Sequence, residues 1–113
     1  MNPEVQLLVV MTTVPDQAIG LVLANGLVHE HLAACVQVLP SMTSVYLWEG
    51  KICQETEHLL LIKTLPQYYE AVESYIYTHH PYTEPEIIAL PATHASITYR
   101  HWVASCLSPD SLY

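Results

Sequence analysis

Short β-branched apolar runs, segments of helical spacing between them and a Glu-Gly turn joining two long strand-like arms predict an α+β fold. The expected architecture is a ferredoxin-like βαββαβ sandwich with a long ribbon formed by the second and third strands and an extra C-terminal helix. At 113 residues the chain amounts to one domain, 1–113, with an ordered core of about 4–107 and a frayed tail at 108–113.

The elements follow in order. Val5 to Thr12 is apolar on both faces and rich in β-branched residues, the pattern of a strand covered on both sides. Pro15-Asp16 is a stop followed by an N-cap, after which Ile19, Val22, Leu23 and Leu27 recur at helical spacing towards His31. Gly20 and Gly26 each cost such a helix about 1 kcal/mol relative to Ala, so either close backbone packing retains them or they are merely tolerated. Ala33 to Trp48 is strand-like with a kink at Pro40-Ser41, and after the Glu49-Gly50-Lys51 turn the chain returns through Cys53 to Thr64.

Pro66 suits the first turn of a second helix whose inward face carries Tyr68, Val72, Tyr75, Ile76 and His79. His80-Pro81 ends it, because proline disfavours the helical conformation of the residue before it. Glu86 to Pro91 reads as a fourth strand and Ser96 to Leu107 as the terminal helix, with Ile97, Tyr99, Trp102, Val103 and Cys106 available for packing. Two helices on one face of a four-stranded antiparallel sheet close this order. The ribbon projects beyond so small a sheet, and its unpaired edges call for a second subunit. An oligomer is therefore expected.

Composition excludes several classes of function. Lys51, Lys63 and Arg100 are the only Lys and Arg residues against 11 acids, a net charge of -8, and they are scattered, which makes a nucleic-acid partner a poor fit. The acidic surface weakly favours cations. Cys35, Cys53 and Cys106 are an odd set without CxxC spacing, as expected of reduced thiols in a cytoplasmic protein. The run from Leu7 to Met11 is too short for a signal peptide, and Ile19 to Val28 is too short to span a bilayer.

Candidate sites are few. No GxSxG, HExxH, Walker loop or GxGxxG is present, and the one arginine lies far from the first strand, so catalysis is not expected. His79-His80 is the most suggestive local feature, since imidazole binds copper, nickel and zinc at neutral pH. Adjacent helical residues point about 100° apart, so both reach one ion only if the helix unwinds at His80; the plain alternative is two histidines favoured by a helix C-terminus. His29, His31, His58, His94 and His101 read as surface or hydrogen-bonded residues. Cys35 is a small core thiol or, with partners, a soft ligand. Trp48, Tyr46, Lys63, Tyr82 and Glu86 fall near sheet ends, where clefts form, a salt bridge being the default reading of the two charges.

Leu32-Ala33-Ala34-Cys35-Val36, Ser44-Val45-Tyr46-Leu47-Trp48-Glu49-Gly50-Lys51, Leu61-Ile62-Lys63-Thr64, His80-Pro81-Tyr82 and Pro85-Glu86-Ile87-Ile88-Ala89-Leu90-Pro91 together resemble the divalent-cation tolerance family, CutA, over about Val5 to Leu107. The resemblance implies a homotrimer related in architecture to PII signalling proteins, a role in tolerance of copper and other divalent cations, and Cu2+ or another divalent cation as ligand. It also implies a cation site in which His79 and His80 match the family's two histidines. Thr12 stands at the family's cysteine position, a weaker ligand for a soft metal than thiolate, so Met11 or water would complete the coordination. The alternative is a PII-like signalling or scaffold trimer that binds a small anion or metabolite in inter-subunit clefts lined by Trp48, Lys63, Tyr82 and Glu86.

Overall fold

The computed structural model describes residues 6–107, so the expected first residue of strand one, Val5, and the tail 108–113 lie outside the described residues. The elements are β1 (Leu7–Val14), α1 (Gln17–His29), β2 (Cys35–Val38), β3 (Met42–Trp48), β4 (Lys51–Thr64), α2 (Tyr69–His79), β5 (Ile88–Ala92) and α3 (Ile97–Leu107). A 3-10 turn, Pro66–Tyr68, leads into α2. The sheet order is β2-β4-β1-β5, with β3 also paired to β4, and every ladder is antiparallel.

The expected single arm from Ala33 to Trp48 is instead two strands. β2 pairs with Leu60 to Lys63 and β3 with Lys51 to Glu57, the two separated at Leu39 to Ser41. Pro40 has no N–H to give a ladder, so the break falls there. β4 is thus shared: its inner half lies between β1 and β2, and its outer half runs alongside β3 alone. At about 3.4 Å per residue this two-stranded outer part extends roughly 24 Å from the sheet. Its tip turns on Glu49 (φ 50°) and Gly50 (φ 79°), the left-handed pair that a two-residue hairpin turn demands.

β1 explains the layering. Leu8, Val10, Thr12 and Val14 alternate towards α1 and α2, where they meet Leu23, Leu27, Leu60, Ile62, Val72 and Ile76 in the main core. Asp16 accepts a bond from the Ile19 N–H at 2.8 Å and caps α1. His31, at φ 60°, ends it, while Leu32 N–H returns to the Leu27 carbonyl. Both helix glycines mark close approach: Gly20 sits under Val14 and Val38, and Gly26 under Tyr75.

Leu7, on the opposite face from Leu8, belongs to a second cluster with Ala34, Leu65, Val103 and Leu107, which seats α3. The Tyr68 hydroxyl donates to the Leu107 carbonyl at 2.6 Å and fastens that seat. Of the expected inward face of α2, Val72 and Ile76 are buried, whereas His79 is exposed. Of the α3 residues expected to pack, Val103 is buried, but Ile97 and Trp102 are exposed.

Candidate functional site

The ribbon leaves the sheet beside the end of β1, and the loop Pro81 to Glu86 runs past the same point, so a cleft of about 680 Å³ opens between them. Its walls include Tyr46 and Trp48 from β3, Glu57 from β4, and Tyr82, Glu84 and Glu86 from the loop. None of the residues lining it is Lys, Arg or His. Glu57 is 8% exposed, and its Oε2 accepts a bond from the Tyr82 hydroxyl at 2.9 Å. Burial, and then the Glu57 carboxylate to which it donates, hold the Tyr82 phenol far above the usual tyrosine range. Burial and then Glu55 also raise the Tyr46 phenol.

His80 positions this loop. Leaving α2 with extended backbone (φ -89°, ψ 140°), it places its ring 4.7 Å from that of Tyr82. Its Nε2–H donates to the Thr13 carbonyl at 2.7 Å, and its Nδ1 accepts from the Tyr82 N–H at 3.1 Å. The Tyr82 amide can only donate and the Thr13 carbonyl can only accept, which fixes the tautomer. Both nitrogens are therefore engaged in holding backbone.

His79 differs. Its Nδ1–H donates to the Tyr75 carbonyl at 2.8 Å, and its ring stacks on that of Tyr75 at a centroid distance of 4.0 Å. This leaves the Nε2 lone pair on an exposed ring, the arrangement in which a histidine is oriented through one nitrogen and ligates through the other. The helix does unwind at His80, yet the two imidazoles are committed to different tasks.

Thr12 is fully buried, and its Oγ1 has no hydrogen-bond partner among the described residues. Met11, its neighbour on β1, lies on the opposite face of the sheet, so the two do not complete one site with side chains from the same side. Cys35 is half-buried beside the Tyr99 hydroxyl and belongs to neither core cluster; burial, followed by this thiol, raises the Tyr99 phenol. Lys63 is not part of the cleft within the chain. Its Nζ donates to Gln37 Oε1 at 2.7 Å, and it sits opposite Val9 and Cys35, at the far end of β4 from Glu57. Within the chain Lys63 does not meet Glu86, and the charged residues lining the cleft are Glu57, Glu84 and Glu86, beside Tyr46, Trp48 and Tyr82.

Sequence reasoning missed Glu57 and the roles of Thr13 and Glu84. An acid in an alternating ribbon looks solvated, and only the crossing of the loop over β4 buries it. The Tyr-Glu contact spans 25 residues, which no local spacing reveals. Among the described residues no group of three or more His, Cys, Asp or Glu converges as a metal site.

The antiparallel sheet with three helices matches solved structures of divalent-ion tolerance proteins. CutA1 from Oryza sativa superposes with a TM-score of 0.90 at 37% identity, covering 95% of this chain and 98% of that one. The divalent-cation tolerance protein CutA of Thermus thermophilus is 40% identical over 95 residues, 84% of this chain and 92% of that protein. Protein CutA, chloroplastic, of Arabidopsis thaliana is 45% identical over 96 residues, 85% of this chain; the chain spans 53% of that relative's length. Residues 8–106 match the model of the CutA1 divalent ion tolerance protein family. The chain belongs to the CutA1 family.

Proposed function

We propose that the chain is a homotrimeric divalent-cation tolerance protein that takes up copper through His79. The observation that carries this reading is the state of that ring: anchored at Nδ1, braced by Tyr75, and with Nε2 turned out on an exposed helix end. The net charge of -8 raises the local concentration of cations around it. His80 joins the ion only by releasing Thr13 or Tyr82, so in this reading it contributes after a local rearrangement, and Thr12 stays in the core. The names borne by the relatives favour the same role.

Self-association is supported by what one copy leaves uncovered. Val45, Leu47 and Ile52 on the ribbon are 61, 70 and 80% exposed, and Ile88 and Leu90 extend an apolar face on β5. The outer half of β4 also has one edge with no partner strand among the described residues. Sedimentation equilibrium should give three times the 12.7 kDa chain mass, and Leu47→Glu/Ile52→Lys should lower it. A folded wild-type monomer at micromolar concentration would overturn the trimer.

The metal reading is tested by copper titration calorimetry. His79→Ala should weaken binding at least tenfold; unchanged affinity in His79→Ala/His80→Ala would place copper elsewhere or make it nonspecific. We read the chain as a binding protein rather than an enzyme. No helix among the described residues is long and apolar enough to cross a membrane, and the three cysteines are free, as suits a reducing compartment such as the cytoplasm.

A second reading is favoured by the cleft itself: a PII-like scaffold that holds a small ligand near Trp48, Tyr82 and Glu86 without a direct metal role. With Lys63 outside it, the cleft offers no cationic side chain to an anion.

A further inference from the structure

We propose that the cleft at the root of the ribbon binds a small organic monocation of the alkylammonium class. The inference rests on the second reading above and is independent of copper at His79.

Glu57 is more than nine-tenths buried, and its one hydrogen bond among the described residues comes from a neutral phenol. A buried carboxylate is normally paired with a cation, because desolvation costs several kcal/mol that a neutral donor only partly offsets. Among the described residues of the chain, no Lys, Arg or His lines the cleft to supply the pair, while Glu84 and Glu86 add charge of the same sign. A carboxylate offers about four lone-pair sites, and the tyrosine occupies one. The missing partner is a positive group that enters from outside the chain.

The lining of the cleft selects the kind of cation. Divalent metals demand several converging oxygen or nitrogen ligands, and no set of three such side chains converges among the described residues. The walls instead carry Tyr46, Trp48 and Tyr82, the side chains whose π-systems attract large, weakly hydrated cations. A volume of about 680 Å³ suits an organic molecule better than an ion of ångström radius. Acid for the charge and aromatic rings for the alkyl groups together describe an ammonium site.

The test uses the assembled protein in the presence of a chelator, with tetramethylammonium as probe and its methyl resonance followed by saturation-transfer NMR. Wild type and His79→Ala should give the same saturable binding curve. Glu57→Gln, which keeps an acceptor for Tyr82, and Trp48→Leu should each weaken it at least tenfold; Tyr46→Leu, a second aromatic variant, should weaken it as well, and Trp102→Leu on α3 should not. Sedimentation of each variant verifies that assembly is intact. The proposal is overturned if wild type does not saturate, if neutral tert-butanol of similar size binds equally, or if Glu57→Gln and Trp48→Leu both bind as wild type does. With the chelator removed by dialysis, stoichiometric competition by Mg2+ at constant ionic strength would make the cleft a metal site instead. Loss of copper binding with tetramethylammonium binding retained separates failure of the copper reading from failure of this one.

Discussion

Tyr75 of α2 lies against Gly26 of α1 so closely that its hydroxyl fills the space a β-carbon at residue 26 would occupy, with Cζ only 2.8 Å from that point. The glycine thus sets how near the two helices approach, and through the Tyr75–His79 stack it sets where the exposed imidazole stands. Gly26→Ala should raise helix propensity by about 1 kcal/mol yet destabilise the fold by about 1–3 kcal/mol overall, since overpacking forces the ring to move. Urea unfolding measures the cost. Adding Tyr75→Leu should recover part of it, a non-additivity expected of residues in contact.

The buried hydroxyl of Thr12 has no partner among the described residues, and replacing it with a methyl of the same shape removes that penalty. Thr12→Val should stabilise the chain by about 1–2 kcal/mol, seen as a higher urea midpoint at unchanged slope. A midpoint lowered by the substitution would mean that the hydroxyl is satisfied in solution.

Tyr82 and Glu57 tie the loop to β4, and Tyr82→Phe should cost about 1–2 kcal/mol at neutral pH. The pH dependence has a definite sign. Because the Tyr82 phenol is raised in the folded state, the unfolded chain loses this proton first, near pH 10, so the contribution is fully present below pH 10 and fades as pH climbs above it. Wild type should therefore lose stability above pH 10 more steeply than Tyr82→Phe, as followed by thermal melts from pH 8 to 11.

Glu49 adopts a left-handed backbone that a residue with a β-carbon tolerates poorly. Glu49→Asn, giving the Asn-Gly pair favoured in this turn, should stabilise by about 0.5–1 kcal/mol. Glu49→Val should destabilise by a similar amount, and thermal melts at fixed protein concentration distinguish the two.

The strands and helices were legible because their signals are local: the Asp16 cap, the Pro66 start, the Glu49-Gly50 turn and the two glycines under close contacts all act within a few residues. The division of the long arm into β2 and β3 was half visible in Pro40, whose effect depends on whether β4 needs a donor there. The site was harder to read. Trp48, Tyr82 and Glu86 do share a cleft, but Lys63 lies outside it within the chain, because six residues of an extended strand separate it from Glu57 by roughly 20 Å. The pairing of His79 with His80 looked like one unit in the chain, whereas a turn of backbone gave the two rings separate partners.

His80 works as a staple, clipping the Tyr82 loop to Thr13 at the end of strand β1 through both ring nitrogens. One wall of the cavity is thereby immobilised before any guest arrives, so little entropy remains to be lost there on occupancy. Selectivity among guests then has to come from rigid fit rather than from a wall that moulds itself to each.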